Sequence, residues 1–183
     1  MNEIKFHGRG GQGVVMASQM LGMAFFKAQM YPQCYSVFGG ERRGAPVVSF
    51  LRVDEERILL KCDIKKPDEL LYFDQTLINE QEIKDIMTPG SKILINTNAE
   101  SGRFRGLSDY TLGLIDATGI AESLGLGHVI NTTVIGAYCR FTEHFSLEHL
   151  KETVGEMVPA KVDDNREAVQ KGYAALTIID GDR

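Results

Sequence analysis

The 183-residue chain carries 20 Lys and Arg against 25 Asp and Glu, a net charge of −5, with 43% hydrophobic and 25% charged residues. That balance describes a soluble globular protein, read as a single domain over 1–183 with room for a substantial core. The acidic excess argues against nucleic-acid binding, and no apolar run is long enough to span a bilayer. The N-terminus, MNEIKFHGRGGQG, lacks a signal-peptide pattern, so a cytoplasmic location is expected. Cys34, Cys62 and Cys139 are scattered, with no CxxC pair, and read as reduced thiols.

Glu3 to His7 alternates polar and apolar residues as a strand does and runs into FHGRGGQGVV, where four glycines fall within six positions. Val14 to Ala28, VVMASQMLGMAFFKA, is apolar on nearly every side and predicts a helix buried on more than one face, ended by Pro32. CYSVFG is a short strand before the loop GGERRGAP. VVSFLRVDEERILLKC presents two β-prone runs around an Asp-Glu-Glu turn and predicts an antiparallel hairpin. ELLYFD reads as a buried strand and Leu77 to Met87 as a helix. KILIN and LGLIDA are strands of the fully buried kind, separated by the polar loop TNAESGRFRGLS. A helix over TGIAESLG follows, then HVINT, read as a strand. Three helices close the chain at 133–143, 147–157 and 164–177. The second opens on Ser146 and the third on acids that the helix dipole favours.

Alternating β and α elements predict an α/β, three-layer α/β/α domain. Its Rossmann-like, mostly parallel sheet includes one antiparallel hairpin. Ligands in such folds bind where loops leave the carboxyl ends of strands, and the glycine loop holds that position for the first strand. Gly8, Gly10 and Gly13 match G-x-G-x-x-G, with Gly11 a fourth glycine. Glycines there let a phosphate or carboxylate reach the unpaired amides and partial positive charge of a helix N-terminus, and Arg9 adds a full charge. The alternative is a tight strand-to-helix turn with no ligand. An ordinary dinucleotide site needs an acid about 20 residues beyond the motif, yet Val14 through Gly40 contains no Asp or Glu. No GK[ST] follows either, so this is not a P-loop.

Arg42 and Arg43, between glycines in GGERRGAP, suit an oxyanion or an acidic partner surface, or else a solvated loop. His7 beside the glycine loop reads as a satisfied strand-end histidine. Met16, Met20, Met23 and Met30 read as core, and the cysteines as buried thiols. No side chain presents itself as a catalytic acid, base or nucleophile.

FHGRGGQGVV followed by VFGGERRGAPVVSFLRV resembles the gamma subunit of 2-oxoacid:ferredoxin oxidoreductases, closest to the pyruvate and 2-oxoisovalerate branch. IDATGIAESLG, VINTTVIGAY and DDNREAVQKGY agree with it, so the likeness runs from about residue 3 to 175. The resemblance implies oxidative decarboxylation of pyruvate or a related 2-oxoacid with coenzyme A. The products are acyl-CoA, carbon dioxide and reduced ferredoxin or flavodoxin, in a complex with alpha, beta and ferredoxin-like delta subunits. Thiamine diphosphate, magnesium and 4Fe-4S clusters are expected on those partners. This chain shows no GDG with a downstream asparagine pair, and a cluster takes four thiolates where it has three cysteines.

By position, the resemblance assigns Gly8, Arg9, Gly10, Gly11, Gln12, Gly13, Arg42, Arg43, Asn131 and Thr132 to the coenzyme A side of the site or to the subunit interface. Asn131 and Thr132 also suit capping of the helix they open. One departure is Ala45, where relatives continue with a second glycine. Two other readings stay open: a stand-alone nucleotide-binding oxidoreductase, and a purely structural subunit.

Overall fold

In the computed structural model, residues 1–38 and 44–181 are described, Phe38 by its backbone alone; Arg42 and Arg43 lie outside them. The chain runs β1 (Asn2–Arg9), α1 (Val14–Lys27), β2 (Tyr31–Phe38), β3 (Pro46–Asp54), β4 (Glu69–Tyr72), α2 (Glu80–Ile86), β5 (Lys92–Asn96) and β6 (Thr111–Ile115). It continues through α3 (Ala117–Ser123), α4 (Asn131–Thr142), α5 (Leu147–Met157), α6 (Val162–Ala175) and β7 (Thr177–Ile179). The seven strands form one sheet in the order β2-β3-β1-β4-β5-β6-β7. β1, β4, β5 and β6 are parallel neighbours. β3 runs against both β1 and β2, and β7 runs against β6.

Local sequence explains most of these elements. Ile4, Phe6 and Gly8 of β1 turn toward α1 and are buried, while the residues between them are half-buried on the other face. β4 is buried throughout, and β5 and β6 at four of five positions each, as parallel strands covered on both faces must be. α1, α3, α4 and α5 pack on one face around Ile4, Phe6, Leu21, Leu71 and Ile135, with α6 against α4 and α5. The other face is covered more thinly, by α2 and by 3-10 turns at Gln75–Leu77 and Ser101–Leu107, over Tyr72, Ile83, Ile93 and Phe104.

Five expectations are corrected. The hairpin does not join 47–53 to ILLKC, because both edges of β3 are already taken by β1 and β2. The antiparallel hairpin is β2–β3. Residues 58–62 are coil, with Leu59 78% exposed, tied to the sheet by Gln33 Nε2 donating to the Leu60 carbonyl at 2.9 Å. α1 ends at Lys27, before Pro32; the chain turns through Gln29, at φ 65°, and places Pro32 inside the edge strand β2. The helix expected over 77–87 is split. Asp74 caps the 3-10 turn, and Asn79 Oδ1 accepts the Gln81 and Glu82 amides at 3.1 and 3.2 Å to start α2. Residues 128–130 are not a strand. Finally, the last helix ends at Ala175, short of 177, and Thr177 opens the short strand β7.

Candidate functional site

Because β1, β4, β5 and β6 point the same way, their carboxyl ends bring Gly10–Gly13, Phe73–Gln75, Asn96–Asn98 and Asp116 to one edge of the sheet. The glycine loop there is shaped by its surroundings. Gly11 and Gly13 hold φ of 101° and 80°, the left-handed region that favours glycine. A Cβ on Gly8 would overlap Val14 and stand 2.9 Å from Phe73. Gln12 locks the turn: its Oε1 accepts the Arg9 amide at 2.7 Å, and its Nε2 donates to the Phe73 carbonyl at 3.4 Å. The Gly10 amide donates to the Ala45 carbonyl at 2.9 Å, and the Gly44 amide returns to the Gly10 carbonyl at 3.1 Å. Among the described residues the Gly11 and Gly13 amides have no acceptor, and no side chain caps α1. The donors of its first turn therefore face outward with the positive end of the helix dipole.

Arg9 does not leave a free charge in this loop. Its Nε donates to Asp74 Oδ2 at 2.6 Å, Nη2 to Thr76 Oγ1 at 3.0 Å and Nη1 to the Gly44 carbonyl at 3.2 Å. Burial pushes the Asp74 carboxyl up. The Thr76 hydroxyl and amide and the Arg9 guanidinium outweigh this and hold it below the usual carboxylate range. The positive field at the loop is thus mainly that of the helix end.

Two adjoining clefts share Gln12 and Thr118. One, about 280 Å³, lies against Gly10, Gly11, Gly44, His128 and Ile130. The other, about 420 Å³, is polar and follows β4, β5 and β6, with Asp74, Asn96, Thr97, Asp116 and Glu122 on its walls. Asn96 braces the second cleft: Nδ2 donates to the Phe73 carbonyl at 2.9 Å and Thr118 Oγ1 at 3.0 Å, and Oδ1 accepts the Ala117 amide at 2.9 Å.

The model of the family described as pyruvate ferredoxin/flavodoxin oxidoreductase matches residues 3–175. The chain belongs to this family. It is 38% identical to the pyruvate synthase subunit PorC of Methanocaldococcus jannaschii over 175 residues, 94% of this chain and 96% of the relative. The crystal structure of the pyruvate oxidoreductase subunit PORC of Thermotoga maritima superposes with a TM-score of 0.84 at 29% identity, covering 97% of both chains. The fold also recurs, at a TM-score of 0.75 and 20% identity, in the 2-oxoglutarate:ferredoxin oxidoreductase of Magnetococcus marinus. That structure holds 2-oxoglutarate, coenzyme A and succinyl-CoA; the match covers 94% of this chain and 30% of that one.

The residues singled out in this oxidoreductase chain separate into groups. Gly8 to Gln12 line or support the crevice. Asn131 and Thr132 do not cap α4: the N-cap is Ile130, with no side-chain hydrogen bond. The Thr132 side chain is fully buried and donates to Asn165 Oδ1 at 3.0 Å, joining α4 to α6. Asn131 covers Gly13 from the side away from the crevice, its Nδ2 2.8 Å from where a Gly13 Cβ would lie. His7 is not satisfied: its ring stacks on Tyr72 at 4.9 Å, its Nε2 has no partner among the described residues, and burial, with Lys5 beside it, lowers its pKa to about 3. Cys34 and Cys62 are exposed residues, although the Cys34 thiol itself turns inward to the Ser18 carbonyl and burial raises its pKa to about 11.

Thr118, His128, Asn96 and Asp116 were missed as crevice residues. For Asn96 and Asp116 the available signal was a polar residue directly after an apolar strand run. His128 carried no such mark.

Proposed function

We propose that this chain is the gamma subunit of a 2-oxoacid:ferredoxin oxidoreductase complex and forms one wall of its coenzyme A site. The observation that carries this reading is the glycine loop after β1, where the Gly11 amide, without an acceptor among the described residues, stands beside a cleft at the carboxyl end of the parallel strands. Phosphate oxygens are the natural acceptors for such donors. The coenzyme's phosphates then sit against Gly10, Gly11 and Gln12, near Thr118 and His128. Hydroxyl and amine donors of the nucleoside suit the neighbouring cleft, where Asp116 and Glu122 would repel a phosphate. Arg42 and Arg43, outside the described residues, are assigned to the same site by the family resemblance alone.

Thiamine diphosphate, magnesium and the 4Fe-4S clusters belong to the alpha, beta and delta partners, with ferredoxin or flavodoxin taking the electrons. Among the described residues, no group of three or more His, Cys, Asp or Glu is placed to hold a metal ion. The coenzyme A held by the Magnetococcus enzyme agrees with this assignment.

The test is Gly11→Ala in the reconstituted complex. Strain at φ 101° and the added methyl group should raise the KM for coenzyme A about tenfold or more with assembly intact, an effect of ~1–2 kcal/mol. An unchanged KM would favour the purely structural reading instead.

A further inference from the structure

A third cleft opens on the other side of Gly13, with a volume of about 350 Å³. Its walls are largely apolar: Met16 and Met20 of α1, Leu126 and Val129 after α3, and Val158 after α5. Among the described residues that line it, Lys161 is the one ionisable group, and none of them sets a carboxylate against an anion. Asn165, also on the wall, is saturated by the Ala160 and Lys161 carbonyls and the Thr132 hydroxyl.

Asn131 is different. The residue is 4% exposed, and its Oδ1 accepts the Thr132 amide at 2.9 Å, which identifies the other atom as the amide nitrogen. That Nδ2 has no acceptor among the described residues. Asn131 is one of the residues that line the cleft. It stands beside Gly13, at the uncapped end of a 14-residue helix. Water in the cleft is the remaining acceptor for Nδ2, and a carboxylate oxygen taking that place makes a shorter, charge-assisted bond.

We propose that this cleft is a binding site, distinct from the coenzyme crevice and independent of that reading, for a small carboxylate bearing a short apolar chain. The carboxylate is acceptor-only and meets Asn131 Nδ2 and the first-turn amides of α1, with Lys161 adding to the positive field. The chain lies against Met16, Met20, Leu126 and Val158, where the methionines adapt to its shape. A free phosphate gains less, because the walls withdraw its water and no arginine fork replaces it.

The test uses methyl-labelled methionine in the full-length chain, titrated with hexanoate. Saturable shifts at Met16 and Met20, with Met87 in the opposite core unmoved, are the expected result. Hexylamine and inorganic phosphate should produce neither. Asn131→Asp keeps the acceptor for Thr132 while replacing the donor with a charge of the wrong sign. It should weaken hexanoate on the order of tenfold or more, and Met16→Trp should fill the cleft and abolish the shifts. Equal response to hexylamine, shifts spread over all methionines, or an unaffected Asn131→Asp variant would each overturn the proposal. So would loss of the shifts in the assembled complex, since a partner subunit would then cover the cleft.

Discussion

Replacing Gly13 with alanine should destabilise the protein through two separable effects at one residue. Gly13 sits at φ 80°, where a side chain costs about 1–2 kcal/mol. Its new methyl group would also stand 2.8 Å from the Asn131 amide and 3.0 Å from its Cβ, an overlap worth about 1–3 kcal/mol in a packed setting. Together these give a loss of roughly 2–5 kcal/mol, or about 5–15 °C in Tm for a chain of this size. The two parts can be divided by a double-mutant cycle in urea. With Asn131→Ala already in place, the overlap with the amide disappears, while the backbone strain and the 3.0 Å contact with Cβ remain. Adding Gly13→Ala should then cost less than in the wild type by about 1–2 kcal/mol. Additive effects would mean that Asn131 does not rest on Gly13. A Gly13→Ala variant as stable as the parent would refute the left-handed cap itself.

Asp74 has a pKa held below that of an unfolded aspartate, so it contributes stability that is full above about pH 4 and is lost as the pH falls through the folded value. Asp74→Asn should therefore flatten the acid limb of a stability–pH profile measured by urea titration; an unchanged limb would show that the Arg9–Asp74 contact contributes nothing. Tyr138 donates to the buried Glu69 carboxylate at 2.6 Å, and Tyr138→Phe removes one of the donors, with His144 and Asn2, that keep Glu69 ionised against its burial. A loss of about 1.5–3 kcal/mol is expected in the same assay. Thr132→Val should cost about 1–3 kcal/mol, because it leaves Asn165 Oδ1 without its donor, while the KM for coenzyme A in the complex stays at the parental value.

Much of the architecture is visible in local pattern because the relevant forces act over a few residues. The alternation of Glu3 to His7, the apolar runs of β5 and β6 and the all-round apolar character of α1 each record which faces must leave water. The glycine loop is equally legible, since a strand, four glycines and a helix in succession restrict where the chain can turn. The start of α5 at Ser146 is as well: its side chain accepts the His149 amide at 3.2 Å. Short polar caps inside a longer pattern were harder. Asp74 and Asn79 each bind amides two or three residues on and divide what periodicity alone presents as one helix.

Sequence by itself therefore determined the parallel α/β layout, the loop at the end of β1 and the family. Tertiary structure alone decided which strands β3 joins, because a β-prone run carries two equivalent edges and pattern does not say what occupies them. It also decided the fate of individual charges and donors. Arg9 looks free beside its glycines but is consumed by Asp74, 65 residues away, whereas Asn131 looks like a cap yet keeps its amide nitrogen for the cleft behind Gly13. Contacts between residues far apart in the chain leave no local periodicity, so whether a polar group is spent or available is known only once the chain has folded.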